Sequence, residues 1–598
     1  MEKIRSRAEI PVEDTWAIED LYVSDDAWEA ELATLEQDKE QLSAFAGKLG
    51  ENGKTLYDYL YLSEMTDVKA SRLGNYCMRK SDEDTRDATY QAMTGKFMSV
   101  VVALGAALSF DTPEMMAIPD ETLDGFYAEC PELERYRRYL TNMRRKKDHI
   151  LSPAEEKLLA AAGELSQTPD TVYGMFADAD IKFEDALDAE GNPHAVSQAT
   201  FVPLQNSADR VLRKNAYENL YKGFANFKNT AAALLNAQNK QLKFFADARR
   251  YGSAFEASLD RTNVPTSVYL NLIETVHKNM DKMHRYVRLR KEMLGLEELH
   301  FYDVYTPLVA DVDKKIPFDD AKQTVYDALA PLGEDYRKIL KEGFGNRWID
   351  VYQNEGKRSG AYSAGAAVHP YVLLNYSGTL DSQFTLAHEM GHALHSYLSN
   401  KHQNPIDAHY VIFVAEVAST CNEALLMEYL LDKTTDKKER IYLINHFLEQ
   451  FKGTLYRQTM FAEFELNIGK MVADGETLTA DALCAEYRRL NELYFGPDMM
   501  VDDRIAMEWA RIPHFYYNYY VFQYATGYCA AIALSRRILK EGESAVEDYL
   551  NFLSGGCSKS PIDLLKGAGV DMTEPAPVEA ALNLFGELLD EMERLIGA

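Results

Sequence analysis

The sequence has few cysteines, no long apolar run and a deficit of basic residues, and each shortage excludes a class of protein. Its six cysteines include no CxxC pair, which excludes a disulfide scaffold and the usual spacing of a structural zinc site and indicates a reducing compartment. Acidic residues outnumber basic residues by 94 to 64, for a formal net charge of −30. Because such a field repels phosphate polymers, we expect no nucleic-acid partner.

Membrane and export signals are also lacking. The most apolar run, Phe97 to Phe110, is shorter than the roughly 20 residues that a helix needs to cross a bilayer. The first residues do not contain the apolar segment of a secretory signal. We therefore expect no membrane span and a cytoplasmic protein.

Glycine and proline are sparse, at 33 and 19 of 598 residues, and the long stretches between them carry apolar residues at helical spacing. Such spacing places side chains on one helix face and predicts a mainly α-helical protein. Two examples are Leu212, Ala216, Leu220 and Gly223, and Leu270, Ile273, Val276 and His277.

Strand signals are limited to Ile181–Phe183, which precedes a turn at Gly191–Asn192, and to Ala366–Tyr376. The predicted fold class is therefore mainly α with a small β-sheet. Since no linker or repeat marks a junction, the first hairpin region sets the predicted boundary, with an N-terminal helical domain at 1–200 and a catalytic domain at 201–598.

The segment His388-Glu389-Met390-Gly391-His392 matches H-E-x-x-H, a pattern expected by chance only about 0.03 times in a chain of this composition. Helical residues four apart differ by about 40° in azimuth and about 6 Å along the axis. His388 and His392 can therefore bind one zinc ion, whose fourth position belongs to water or substrate. Glu389 points beside the metal, where a carboxylate can take a proton from water.

The third ligand must come from further along the chain. A metzincin would have Gly and His where this sequence has His395 and Leu398, so that class is excluded. Thermolysin-like enzymes place a Glu where this chain has Val411 and Ile412. The first carboxylate after those positions is Glu416, in an apolar helical stretch where an unpaired Glu would be costly to bury, and we predict it as the third ligand.

Three neighbours have predicted supporting roles. His395 lies about 10 Å along the helix from His388, too far to share its ion, and is expected to pack or to support a ligand. Glu423 is a candidate acceptor for a ligand histidine, with a purely structural role equally open. Gly391 is unfavourable inside a helix by about 1 kcal/mol, which predicts close backbone packing at that point.

Together these residues resemble the thimet-type zinc oligopeptidases, and most closely their oligoendopeptidase F branch. The resemblance rests on the run 388–395 with Glu416-Val417-Ala418-Ser419, and it extends over most of the chain. Its other matching segments are Thr15-Trp16, Leu151-Ser152-Pro153, Asn263-Val264-Pro265, Tyr302-Asp303-Val304-Tyr305, Gly360-Ala361-Tyr362-Ser363 and Arg511-Ile512-Pro513-His514-Phe515-Tyr516.

The resemblance implies a zincin-like helical ellipsoid with a deep substrate channel that admits short peptides. It assigns peptide binding to a loop with Gly360 and Tyr362 and to an adjacent edge strand at His369–Tyr376, because a free strand edge can bind an extended peptide through its main chain.

The same resemblance implies that His514 and Tyr524 stabilise the oxyanion. Tyr517 and Tyr519 are further substrate-binding candidates, although helical spacing would turn Tyr519 about 140° away from Tyr524. Tyr520 and Tyr528, one helical turn before and after Tyr524, are both expected to belong to the core.

The sequence thus predicts a zinc oligoendopeptidase that cuts internal bonds of short unstructured peptides, with zinc bound by His388, His392 and Glu416. His₂Glu sites also accept other divalent ions. One alternative is a dipeptidyl carboxypeptidase of the angiotensin-converting type, with a cation to bind the substrate carboxylate. The candidates for that cation are Lys357, Arg358 and Arg511. Another alternative is a non-catalytic acidic helical binding protein.

Overall fold

The structure is a computed structural model that describes residues 4–309 and 315–597, and these residues are mainly α-helical, as predicted. The helices are α1 (Asp25–Ser43), α2 (Gly53–Glu83), α3 (Ala88–Ala107), α4 (Asp111–Ala117), α5 (Asp120–Glu129), α6 (Arg137–Arg144), α7 (Pro153–Ser166), α8 (Thr168–Gly174), α9 (Gln198–Gln205), α10 (Arg210–Ala225), α11 (Lys228–Ala248), α12 (Ala254–Asp260), α13 (Thr266–His277), α14 (Met280–Met293), α15 (Phe318–Ala328), α16 (Gly333–Gly345), α17 (Leu380–His402), α18 (Pro405–Ala408), α19 (Ile412–Lys433), α20 (Lys437–Gln450), α21 (Arg457–Ala473), α22 (Ala480–Phe495), α23 (Phe522–Glu541), α24 (Glu543–Leu553), α25 (Pro561–Gly567) and α26 (Ala576–Ile596).

The strands are short. They are β1 (Ala186–Leu187), β2 (Pro193–His194), β3 (Leu299–His300), β4 (Ile349–Asp350), β5 (Tyr362–Ala364), β6 (Tyr371–Leu373) and β7 (Met499–Met500). Within the described ranges they form an antiparallel β1–β2 pair, a parallel β3–β7 pair and a three-stranded sheet in the order β4–β6–β5. The small sheet predicted from the sequence is therefore three separate small sheets.

Two of the strand predictions need correction. The hairpin near Gly191 exists, but its first strand begins at Ala186, and Ile181–Phe183 is not a strand. The segment around His369–Tyr376 is not an edge, because β6 pairs in parallel with β4 on one side and antiparallel with β5 on the other. The edge strand that follows Gly360 is β5.

Contacts within the chain define two compact units, each built from three segments. The first contains the described residues of 1–148, 314–429 and 534–569, and the second contains those of 149–313, 430–533 and 570–598. Neither unit begins or ends at residue 200. The predicted boundary between an N-terminal and a catalytic domain at that residue stays a prediction.

The first unit has a core in which α1, α2 and α3 pack together with the three-stranded sheet. Trp16 and Trp28 are fully buried there with Tyr371 of β6. The Trp28 indole donates to the Leu73 carbonyl at 2.9 Å, so its one polar atom is paired, as burial of an indole requires. The sheet is thereby held against the N-terminal helices.

The second unit is a helical assembly in which α21 contacts α11, α13 and α22. The predicted buried face of α10 is confirmed, because Leu212, Ala216 and Leu220 are all buried. On α13 the predicted face is wrong for Leu270, which is 44% exposed. It is also wrong for His277, which is exposed, whereas Ile273 and Val276 are buried as predicted. The helix also buries Val268, Tyr269 and Leu272.

One stretch of the described residues, Ala88–Ala117, is long and apolar enough to cross a membrane by length and composition, with 17% of its apolar window buried. The expectation that no segment reaches that length is therefore wrong. Met93 and Phe97 of α3 pack into the core with α1 and α2. One such helix is weak evidence for a span, since a helix of a water-exposed protein passes the same test.

Candidate metal centre

The predicted H-E-x-x-H segment lies in the middle of α17, in the first unit. The helix begins where the Thr379 side chain accepts a hydrogen bond from the Ser382 amide at 3.1 Å, which satisfies one of the free amides of the first turn. β5 and β6 contact α17 along its length. The sheet and the helix therefore fix where the two histidines point.

The two histidines meet a carboxylate from α19. Glu416 Oε2 lies 3.3 Å from His388 Nε2 and 3.4 Å from His392 Nε2. The three potential ligand atoms lie within 4.8 Å of one another, and the two imidazole rings are nearly perpendicular, at 82°. The ligand set predicted from spacing is thus brought together by two helices.

Close backbone packing between these helices occurs at Gly391, as predicted. A Cβ atom on Gly391 would lie 2.5 Å from Ser419 Cα and 2.7 Å from the Ala418 carbonyl oxygen. Real side chains do not approach backbone atoms so closely. Glycine is therefore required for α19 to bring Glu416 within reach of the histidines.

Hydrogen bonds also hold the two helices in register. The His388 Nδ1 atom lies 2.7 Å from Glu423 Oε1, which leaves Nε2 free to bind metal and fixes the ring orientation. The buried Asn422 amide donates to the Ala387 carbonyl at 3.0 Å and accepts from the Tyr336 hydroxyl at 2.9 Å. The predicted hydrogen bond from a histidine of this segment to Glu423 is thus present, and the role of Glu423 in supporting a metal ligand stays a prediction.

Glu389 occupies a different position from the ligands. It is 7% exposed, and its Oε2 atom is buried without a hydrogen-bond partner among the described residues. Burial raises the pKa of Glu389, and the neighbouring carboxylates Glu416 and Glu423 add to that effect against the lowering influence of the histidines. A carboxyl with a free oxygen and a raised pKa is suited to accept and release a proton.

The charges around the site favour a cation. Burial would lower the pKa of His388, but hydrogen bonds to Glu416 and Glu423 outweigh it and raise that pKa well above its usual value. Burial would likewise raise the pKa of Glu416, but hydrogen bonds from His388 and His392 lower it. The carboxylates that retain a proton on His388 are the same groups that would attract a divalent ion.

The donor set fits a catalytic metal ion. Two imidazole nitrogens and one carboxylate oxygen converge, and both histidine rings present Nε2 to the same point. Such a His₂Glu set, with Glu389 beside it as a non-ligand, is typical of hydrolytic zinc sites that leave a fourth position open.

His395 belongs to the packing below the site. It is 1% exposed and stacks on Tyr410 at 3.7 Å with an angle of 5° between the rings. Burial lowers the pKa of His395 to about 3, so the ring is neutral. The expectation that it packs rather than binds the ion is confirmed.

The predicted peptide-binding loop lies beside the edge strand β5 in the same unit. Gly360 has a φ of +83°, a conformation that favours glycine, and the Asn375 side chain donates to its carbonyl at 2.8 Å. The Tyr362 hydroxyl donates to Asp82 Oδ2 at 2.5 Å, and the ring lies against Arg79. Since that hydroxyl is already paired, any contact of Tyr362 with a peptide would use its main chain.

In the second unit, His514 is surrounded by three tyrosines. Its ring centroid lies 5.3 Å from that of Tyr517 and 6.2 Å from that of Tyr524, and Tyr520 closes the group at 6.2 Å from Tyr517 and 5.4 Å from Tyr524. We call these four residues the His514 cluster. All four are at least partly exposed, and burial lowers the pKa of His514, which favours its neutral form.

The tyrosine predictions based on helical spacing are partly wrong. Tyr528 is buried in the core as expected, but Tyr520 is partly exposed and belongs to the His514 cluster. Tyr519 is 5% exposed and packs in the interior, which argues against its predicted contact with substrate. The reason is that α23 begins only at Phe522 and the preceding residues form an irregular turn.

Two sequence models of known families match this chain. A sequence model of Peptidase family M3 matches residues 203–584, and one described as Oligopeptidase F matches residues 114–183. The fold is that of a metallopeptidase, and the chain belongs to Peptidase family M3.

Relatives match over almost the whole chain. Oligopeptidase PepF of Bacillus subtilis is 45% identical over 99% of this chain and 89% of its own length. Group B oligopeptidase PepB of Streptococcus agalactiae is 38% identical over 99% of this chain and 98% of its own length. A crystal structure of a putative peptidase from Chlamydophila abortus superposes with a TM-score of 0.94 at 37% identity, covering 99% of this chain and 100% of that one.

Sequence reasoning did not identify Asn422 and Tyr336. Asn422 directly precedes Glu423 and is followed by the apolar residues 424–427 of α19, and a polar residue beside such a run is a signal of a buried hydrogen bond. Nothing local could have identified its partner, because Tyr336 lies on α16.

Proposed function

We propose that this protein is a zinc-dependent oligoendopeptidase that hydrolyses internal bonds of short unstructured peptides. The observation that carries the proposal is the convergence of His388, His392 and Glu416 beside the buried, unpaired Glu389 Oε2 atom. Membership of Peptidase family M3 and 45% identity to an oligopeptidase support it.

His388, His392 and Glu416 would hold the zinc ion, and Glu423 would hold the His388 ring. When bound, zinc at such a site polarises a peptide carbonyl and lowers the pKa of water. Zinc is proposed because imidazole nitrogens with one carboxylate are its usual ligands in hydrolytic sites.

Glu389 is the proposed general base. Its Oε2 atom accepts a proton from the attacking water, and the same atom then delivers that proton to the nitrogen of the leaving amine. The raised pKa of Glu389 favours the first step, because it makes the carboxylate a stronger base.

The remaining predicted residues are proposed to bind and stabilise the peptide. His514 and Tyr524 donate hydrogen bonds to the developing negative charge on the carbonyl oxygen. The main chain around Gly360 and Tyr362 and the adjoining edge of β5 bind the extended peptide, and Tyr517 is a further contact because it is 48% exposed beside His514.

The dipeptidyl carboxypeptidase alternative loses two of its three candidate cations. The Lys357 ammonium is buried against Asp350 Oδ1 at 2.6 Å. The Arg511 side chain is only 11% exposed and already contacts Gln198 and Glu508. Only Arg358, whose side chain is 59% exposed, is accessible to a substrate carboxylate. The non-catalytic alternative does not account for Glu389, whose burial without a partner has no structural benefit.

A cytoplasmic place of action is part of the proposal. All six cysteines are free, and Cys77, Cys421 and Cys529 are among the buried ones. Unpaired cysteines suit a reducing compartment.

The test compares wild type with Glu389→Gln on an internally quenched octapeptide blocked at both ends, with the bound metal quantified in each protein. We expect the wild type to contain one zinc and to cut internally, and the variant to retain zinc and lose the cleavage. His402→Ala, an exposed histidine near the end of α17, is the control that should keep both, while His388→Ala should lose both. Cleavage only after the C-terminus is unblocked would favour the carboxypeptidase, and an active Glu389→Gln variant would refute the assigned base.

A further inference from the structure

The His514 cluster is carried by a turn that the protein holds in an unfavourable conformation. Asn518 and Tyr519 have φ values of +64° and +60°. Consecutive non-glycine residues with positive φ are uncommon, because in that conformation the Cβ atom lies too close to the following carbonyl oxygen. Such strain persists only where surrounding groups impose it, so the contacts of this turn identify what holds it.

Two residues on one face of α21, Glu465 and Gly469, accommodate Tyr519. The Tyr519 amide donates to Glu465 Oε1 at 2.9 Å. One helical turn further along, Gly469 leaves room for the Tyr519 hydroxyl, since a Cβ atom on Gly469 would lie 2.0 Å from that oxygen. Residues four apart share a helix face, so Glu465 and Gly469 together form the site on α21 that accommodates Tyr519.

The rest of the turn is fixed from α11 and by ring packing. The Gln238 side chain donates to the Tyr516 carbonyl at 3.1 Å and to Asn518 Oδ1 at 2.7 Å. The Tyr519 ring packs against Phe255 at 5.3 Å. These contacts hold the turn on both sides of the strained residues.

The burial of the Glu465 carboxyl at this position is energetically unfavourable. It is 4% exposed, its second oxygen has no hydrogen-bond partner among the described residues, and burial raises its pKa to about 8. Its neighbour Glu463 is also buried, but it is paired with His277 at 2.7 Å and with the Tyr494 hydroxyl at 3.0 Å. Burying the Glu465 carboxyl costs free energy and gains only one hydrogen bond, to a strained turn. This balance indicates that the protein requires the turn for its function.

Strain at Asn518 and Tyr519 decides the direction of the tyrosines on either side. Tyr517 precedes the two residues and Tyr520 follows them, and both rings are members of the His514 cluster. If the turn relaxed to negative φ, these rings would leave their places around His514 and Tyr524. The turn therefore acts on the cluster without contacting substrate itself.

We propose that Glu465 and Gly469 are positioning residues for the peptidase reaction. By fixing the position of Tyr519, they hold the His514 cluster in its active arrangement. The inference rests on the proposed catalytic role of His514 and Tyr524. It assigns to Tyr519 an anchoring role in place of a contact with substrate.

The test uses the zinc-loaded full-length protein with three variants of similar side-chain volume. Glu465→Gln keeps a carbonyl acceptor for the Tyr519 amide and should retain kcat within about twofold. Glu465→Met removes the acceptor and should lower kcat at least tenfold, with KM changed less than threefold and zinc content unchanged. Glu463→Met is the control, because it removes an equally buried carboxyl of α21 that does not contact the turn, and it should lower the unfolding temperature without lowering kcat.

A second pair of variants keeps the test decisive if Glu465→Met fails to fold. Gly469→Ala fills the place of the Tyr519 hydroxyl while improving helix propensity, so it should lower kcat about tenfold without global unfolding. Adding Tyr519→Phe removes the colliding oxygen and should restore kcat. A purely structural role would produce no such rescue.

The outcomes separate this inference from the proposed function. If His514→Ala and Tyr524→Phe lower kcat but Glu465→Met and Gly469→Ala leave it unchanged, the positioning role is refuted and the proposed function stands. Equal losses in Glu465→Gln and Glu465→Met would also refute it, because the acceptor would then be irrelevant. If His514→Ala retains wild-type kcat, the proposed role of the cluster itself fails.

Discussion

Replacement of Gly391 by alanine tests the contact between α17 and α19 on which the metal ligands depend. The added Cβ would lie 2.5 Å from Ser419 Cα, 2.7 Å from the Ala418 oxygen and 2.8 Å from the Ser419 nitrogen. All three atoms belong to the backbone of α19. No side-chain rotation can relieve the clash, and the two helices must separate.

The size of the effect follows from these distances. An ordinary carbon–carbon contact of about 3.5 Å requires the helices to move apart by about 1 Å at this point. Metal–ligand distances tolerate only about 0.2 Å, so Glu416 would be displaced from His388 and His392. Overpacking costs about 1–3 kcal/mol, against a gain of about 1 kcal/mol in helix propensity. We expect a net loss of about 1–2 kcal/mol in the free energy of unfolding, with metal affinity about 10- to 100-fold weaker.

The assay is a chelator competition titration for zinc, paired with thermal unfolding of the metal-free protein. Gly105→Ala is the matched control, because Gly105 lies inside α3 and an added Cβ there meets nothing within 4 Å. It should stabilise the protein slightly and leave zinc affinity unchanged. A Gly391→Ala protein with wild-type zinc affinity and unfolding temperature would refute the close approach of the helices.

Three further predictions follow from single contacts. Glu423→Gln weakens the hold on His388 and should lower zinc affinity about 10- to 100-fold in the same titration, with an unchanged circular dichroism spectrum; wild-type affinity would contradict it. Asn422→Ala leaves the buried Tyr336 hydroxyl without its acceptor and should cost about 1–3 kcal/mol in urea unfolding, and a loss below about 0.5 kcal/mol would count against the bridge. Folded Glu465 keeps its proton up to a pH of about 8, against 4.5 when unperturbed, so the folded state binds more protons in that window and the free energy of unfolding falls as pH rises. Glu465→Gln should remove this decline, on the order of 5 kcal/mol, and parallel curves for the two proteins would exclude it.

The His388, His392 and Glu416 ligand set was predictable because it is written in local spacing. Residues four apart on a helix face one way, and apolar neighbours single out the one carboxylate that needs a partner. The same local logic identified Gly391, whose cost in a helix required a packing reason.

Local spacing failed where the chain leaves regular structure. Helical periodicity placed Tyr520 in the core, but the positive φ values at Asn518 and Tyr519 break the helix before it and leave Tyr520 partly exposed. Propensity does not predict such a turn, because non-glycine residues enter it only under constraint from elsewhere.

The sequence by itself determined the helical class and indicated the candidate metal ligands and the candidate base Glu389, since each depends on residues close together in the chain. The tertiary structure alone decided that β6 is a central strand, that Asn422 meets Tyr336, and that Glu465 and Gly469 receive Tyr519. These contacts join residues far apart in sequence, and the free energy that selects them comes from packing and hydrogen bonding across elements that no local pattern contains.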